Sequence, residues 1–228
     1  GTGFETINVA TTGAASTLND IVTSSVTTMN ITGDQDLTVR LGLDETLDVI
    51  NASAFLGDLS ILTVDDTSTP DATVASVDVA DITITGGSGD DSINVSANGT
   101  DNEISVSAGA GDDTVTIGAV ITNASTTTAG DVLAGGAGTD TLVADVDDVD
   151  TAAVTTALTG VSGFETLNLL GAMTGTDTVT TADISSDIAR VNVSSVTAGT
   201  GLTLNMGSSA TVGLNVAAAV SAGDTLTV

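Results

Sequence analysis

The chain has 228 residues and sets 30 acidic side chains against two basic ones, Arg40 and Arg190, for a formal net charge of -28. That balance argues against nucleic acid as a partner and against binding to an anionic membrane surface. No apolar run approaches the roughly 18 residues a spanning helix requires. His, Cys, Trp, Tyr and Lys are all absent, which removes the usual general bases, thiol nucleophiles, Schiff-base amines and soft-metal ligands. No enzymatic activity is expected. With no cysteine there are no disulfides, so another staple must hold the fold.

Taken in chain order, the apolar residues keep a steady beat. Ile7, Leu18 and Met29 step by 11 in the first part of the chain, read here as solenoid rungs over residues 1–85. The pairs Ile82/Ile84, Ile93/Val95, Ile104/Val106 and Val115/Ile117 follow, each skipping one residue and each 11 after its predecessor. An apolar-x-apolar pair marks a short strand with one buried face. Residues 144–162, "ADVDDVDTAAVTTALTGVS", break the rhythm and read as an insertion or linker. Asp150 or Thr151 is placed to cap a short helix through Leu158, which Gly160 would end. Beyond it, "GFETLNL" (163–169) repeats "GFETINV" (3–9). Leu167, Val179, Val191, Leu202, Leu214 and Leu226 then step by 11 or 12, giving further rungs over 163–228.

Short, evenly spaced strands rich in Val, Ile and Thr fit either a β-sandwich or a stacked solenoid. A sandwich needs longer strands and commonly places aromatic residues in its core. This chain has only three, Phe4, Phe55 and Phe164. The fold class expected is all-β, a parallel β-solenoid. A flat threonine array could also bind ice, but the Thr positions read as shifting from coil to coil.

Between the two sets of rungs, residues 86–143 carry a second pattern. "GGSGDDSIN" (86–94), "AGAGDDTVT" (108–116) and "GGAGTDTLV" (135–143) share the form small-Gly-x-Gly-x-Asp-x-apolar-x, and "AGDVLA" (129–134) keeps its second half. The acids Asp91, Asp113, Asp131 and Asp140 lie 22, 18 and 9 residues apart. With half-coils of 11 or 9 residues, Asp91, Asp113 and Asp131 are expected to stack on one edge and Asp140 to lie on the opposite edge. Metal-free Gly-Asp turns are one explanation of the motif, since both residues favour turns. Carboxylates stacked at the strand spacing of about 4.8 Å repel, however, and a cation between them resolves the repulsion. Oxygen-only donors indicate a hard ion such as calcium, and glycines let the backbone aim several carbonyls at one point. "GDQD" (33–36) and "DDTSTPD" (65–71) are further acidic turns.

The nonapeptide resembles the calcium-binding repeat G-G-x-G-x-D-x-U-x of RTX proteins. It matches at 86–94 and 135–143, and at 108–116 with Ala108 in place of the first glycine. The Thr/Ala/Val/Gly-rich rungs and the "GFETLNL" element resemble the RTX-type surface-layer (S-layer) proteins of Gram-negative bacteria, the Caulobacter type especially. The resemblance implies a right-handed parallel β-roll with several Ca2+ ions held between successive turns. Its side-chain ligands would be Asp91, Asp113, Asp131 and Asp140, with carbonyls from Gly87, Gly89, Gly109, Gly111, Gly136 and Gly138. Asp140 would need a partner from "ITNAST" (121–126) or from the cluster Asp147, Asp148 and Asp150. The resemblance also implies type I export, an extracellular location on the cell surface, and self-association into a lattice. Contact with an outer-membrane polysaccharide would be made through a region outside this segment. The chain begins at "GTGFETINV" with no signal peptide and stops at "GDTLTV", so it is expected to be an internal piece of a longer protein. The alternatives are the accessory β-roll of a type I secreted RTX enzyme or toxin, and an RTX adhesin.

Overall fold

β-branched side chains pack well in rows on a pleated surface, and in the computed structural model the alternating segments form short strands paired in parallel. The structure describes residues 3–19, 25–42, 47–64, 81–96, 103–118, 121, 130–150, 153–154, 156–171, 176–193, 201–206, 214–216 and 225–227. The first part contains β1 (Thr6–Thr11), β2 (Ser16–Asn19), β3 (Thr28–Gly33), β4 (Leu37–Gly42), β5 (Val49–Phe55) and β6 (Leu59–Val64). The glycine-rich block contains β7 (Ile82–Thr85), β8 (Ser92–Asn94), β9 (Ile104–Ala110), β10 (Thr114–Thr116), β11 (Val132–Ala137) and β12 (Thr141–Asp145). A one-turn helix α1 (Val146–Val149) follows, then β13 (Val161–Ser162), β14 (Thr166–Leu170), β15 (Thr176–Thr180) and the short α2 (Thr181–Ile184). The last strands are β16 (Arg190–Val193), β17 (Gly201–Asn205), β18 (Leu214–Val216) and β19 (Thr225–Thr227).

Each coil contributes one strand to each of two sheets. The odd strands β1 to β13 form one sheet in sequence order, and the even strands β2 to β18 form the other. Two-residue alternation then buries one row per strand, including Ile31, Ile50, Ile84 and Val106 on the first sheet and Val39, Ile61, Ile93, Val115 and Leu142 on the second. Both sheets run without a break through residues 86–143. The expected parallel solenoid is therefore the fold observed. After β13 the first sheet gives way to a third, β15-β17-β19, while the second sheet continues.

The structure corrects three local expectations. The helix near the insertion is at Val146–Val149 rather than 151–158, because the Asp145 carboxylate accepts the Asp147 N–H and caps it there, while Asp150 ends it in extended conformation. The described residues between 153 and 160 are not helical. On the second sheet the hydroxyl positions do align from coil to coil: Thr17, Thr38, Ser60, Ser92, Thr114, Thr141 and Thr166 form one unbroken row that ends at Arg190, whereas on the first sheet they shift, Thr28 pairing with Val49 and Ser105 with Val132. The third correction concerns the acids.

The candidate metal centre

Glycine-rich turns lie just before β8, β10 and β12, at one edge of the second sheet. The pairings Ser92↔Thr114 and Thr114↔Thr141 place Asp91, Asp113 and Asp140 one above another. The Asp91 N–H donates to Asp113 Oδ1 (2.7 Å), and the Asp113 N–H donates to Asp140 Oδ1 (2.8 Å). Leu59 opens this row, its N–H donating to Asp91 Oδ1 (2.9 Å), and Glu165 closes it, with Oε2 accepting from the Asp140 N–H (2.8 Å).

Asp140 therefore belongs in the row with Asp91 and Asp113, and its neighbours are Asp113 and Glu165. The Asp147, Asp148, Asp150 cluster does not supply them, and residues 122–126 of "ITNAST" lie outside the described residues. Asp131 lies at the other edge, before β11 of the first sheet, where its Oδ1 accepts the Ile104 N–H (2.9 Å). The reason is coil length. Asp91 and Asp113 are 22 residues apart, and the next coil lengthens to 27 where half-coils of 9 would shorten it to 18, so both acids are misassigned.

A second row of acids runs beside the first. Asp36 Oδ1 accepts the Asp58 N–H (3.2 Å), Asp58 Oδ1 accepts the Asp90 N–H (3.0 Å), and Asp90 Oδ1 accepts the Asp112 N–H (2.8 Å). Asp112 Oδ1 then accepts the Thr139 N–H (2.8 Å). Here each carboxylate caps the following coil, whereas in the first row it caps the preceding one. Of the further acidic turns, 33–36 thus enters through Asp36, and 65–71 lies outside the described residues.

The glycines stack too. Gly109 and Gly111 have φ of +121° and +130°, a region open to glycine at little cost. A Cβ on Gly109 would strike the Gly87 carbonyl, and one on Gly111 the Gly89 carbonyl. Gly136 and Gly138 meet Gly109 and Gly111 in the same way. At the head of two repeats, oxygens converge where a side chain is missing. A Cβ on Gly86 would strike the Ala108 carbonyl oxygen and lie 2.6 Å from Asp91 Oδ2. One on Gly135 would strike the Gly163 carbonyl oxygen and lie 2.7 Å from Asp140 Oδ2.

The first row is buried, with Asp91, Asp113 and Asp140 2 %, 1 % and 0 % exposed. Asp91 Oδ2 accepts the Gly87 N–H (2.8 Å), but Asp113 Oδ2 and Asp140 Oδ2 are buried without a hydrogen-bond partner. Burial, followed by the charges of Asp91, Asp140 and Asp90, pushes the Asp113 carboxyl up to about 6. Asp140 is raised by burial and then by Glu165 and Asp112, and Asp91 by burial and then by Asp58 and Asp90. Such shifts mark carboxylates whose charged form lacks compensation. These donors fit a hard cation: all are oxygens, two are buried and unsatisfied, and the Gly163 carbonyl converges with one of them, Asp140 Oδ2. Among the described residues no three acidic side chains converge on one point as they stand, so in this row backbone carbonyls would have to complete a shell.

No family model, curated protein or solved structure matches this chain. Sequence reasoning missed Glu165 and the Asp36–Asp58–Asp90–Asp112 row. The signal for Glu165 was present: in "ETL" the acid stands two residues before a core leucine, the spacing of Asp91 to Ile93. "FLGDLSI" (55–61) is likewise a worn repeat, with Gly57 and Asp58 retained beneath Gly89 and Asp90 and Leu59 at the place of Asp91.

Proposed function

We propose that this chain is a structural segment of a calcium-dependent surface layer outside the cell, made rigid by Ca2+ held between stacked Gly-Asp turns. The observation that carries this reading is the pair of buried, unpartnered oxygens Asp113 Oδ2 and Asp140 Oδ2 in a row of like charges. A buried carboxylate without compensation costs several kcal/mol. Calcium accepts six to eight oxygens in flexible geometry, and two carboxylates with neighbouring carbonyls suit it.

Ion binding then becomes folding free energy and takes the place of the disulfides this chain lacks. At a net charge of -28 the ion-free chain repels itself and stays expanded, a state suited to export through a narrow channel. Extracellular calcium modules commonly bind at about 10⁻⁴ to 10⁻³ M, which separates the inside of a cell from its surroundings.

The test is circular dichroism and small-angle scattering while calcium, and separately magnesium, is titrated from zero, with electron microscopy of the calcium-loaded protein. The expected result is an expanded chain of low β content that compacts with calcium and then forms sheets. The same compact shape after exhaustive chelation would overturn the proposal.

A further inference from the structure

A second buried acid stands apart from the Gly-Asp turns. Asp177 lies in β15, where the third sheet begins, and pairs in register with Leu202, as Val179 pairs with Leu204. Val179, Leu202 and Leu204 are at most 1 % exposed, so Asp177 occupies a position that the strand alternation gives to an apolar residue. It is itself 8 % exposed, and its Oδ2 is buried without a hydrogen-bond partner. Besides its sheet partner β17, β15 packs against α1, the one-turn helix carrying Asp147 and ending at Asp150. The charges that bear on Asp177 are those of Asp147 and Asp150, and both are negative. Burial and then these two neighbours push its carboxyl above the usual range.

We propose that Asp147 and Asp150 swing toward Asp177, a convergence their side chains do not make as they stand, and that the three then hold a divalent cation that fastens α1 to the first strand of the third sheet. The site needs no glycine turn and does not depend on the reading of the Gly-Asp row. Asp177 supplies the fixed ligand, since its strand is locked in register. Asp147 is exposed and can turn inward, and Asp150 sits at the end of the helix with Oδ1 already ordered by the Ala153 N–H (2.8 Å). Three carboxylates suit a hard ion of the calcium or magnesium class. The ion would stand where the solenoid exchanges one sheet for another, a junction that strand pairing alone leaves open.

The experiment uses the whole chain, with calcium and then magnesium as the probe. Equilibrium dialysis gives the ion stoichiometry, and urea unfolding is followed with saturating ion and with chelator. Asp177→Asn is expected to bind one ion fewer than the parent, to unfold at lower urea in calcium, and to unfold at higher urea in chelator, because the uncompensated charge is gone. Asp147→Asn/Asp150→Asn, altered outside the sheet, is expected to lose the same ion should Asp177→Asn fail to fold. Asp113→Asn is expected to keep it, which separates this site from the Gly-Asp row. Full stoichiometry in the double variant would overturn the proposal. So would an Asp177→Asn protein stabilised equally with and without ion, the behaviour of an acid that is simply protonated.

Discussion

Asp112 and Asp113 are neighbours in the chain, yet Asp112 is exposed and caps the Thr139 N–H of the next coil, while Asp113 is 1 % exposed and caps the Asp91 N–H of the coil before. The same contrast separates Asp90 from Asp91. Water screens the outer row, so its charges cost little and its hydrogen bonds add little. The inner row is shielded from water, so a missing partner there is expensive. One residue type thus serves two purposes, a solvated turn cap and a charge awaiting compensation, and the alternation of the backbone decides which.

The largest effect should come from breaking the inner row in saturating calcium. Asp113→Ala leaves the Asp91 N–H without its acceptor, at about 1–3 kcal/mol, and removes ion binding worth about 2.7 kcal/mol when calcium exceeds its dissociation constant about 100-fold. The sum is roughly 4 kcal/mol or more, read as a fall in the urea midpoint. Asp112→Ala removes only an exposed cap and should cost under about 1 kcal/mol. Equal losses at the two positions would erase the distinction between the rows.

Much of this was legible in the sequence, because strand alternation and the 11-residue beat arise from backbone geometry that every coil repeats. Ile82↔Ile104 and Ile93↔Val115 pair as the beat requires. Legibility failed where coil length changed. Between Val115 and Leu142 the coil lengthens, and counting by half-coils placed Asp131 in a row that belongs to Asp140. It failed again in the later rungs, where the step from Val179 to Leu202 hid the true pairing of Asp177 with Leu202. An apolar beat cannot register an acid on the buried face. The two Gly-Phe-Glu-Thr elements keep one backbone arrangement: Glu5 and Glu165 each accept two N–H groups from the following coil through their carbonyls.

A second way to sharpen the contrast is pH. The Asp113 carboxyl is raised from 3.8 to about 6 in the folded protein, so in chelator the folded state binds its proton more tightly than the unfolded chain. The associated stability is complete below about pH 4 and is lost as pH rises through about 6. Asp140 and Asp91 are raised as well and act in the same direction. In chelator the urea midpoint should fall between about pH 4 and 7. With calcium present the ion takes the place of the protons, and the midpoint should hold or rise over the same interval. A calcium-free midpoint that climbs across this range would contradict the assignment of the inner row.

The smallest expected effect tests differences within the inner row itself. Asparagine keeps the shape of aspartate and an oxygen for the N–H of the preceding coil, but replaces the other oxygen with a donor. At Asp113 the replaced oxygen has no partner, so in chelator Asp113→Asn relieves a buried charge at no cost in hydrogen bonds and should raise the urea midpoint. At Asp91 the corresponding oxygen accepts the Gly87 N–H, and the amide would set donor against donor. Asp91→Asn should therefore gain less than Asp113→Asn by about 1 kcal/mol, the net worth of an ordinary hydrogen bond. Adding calcium should reverse the order at Asp113, where the substitution also removes a ligand charge. Asp113→Asn would then pass from the more stable protein to the less stable one on addition of a single reagent, a crossing that a row of purely structural turn caps has no means to produce.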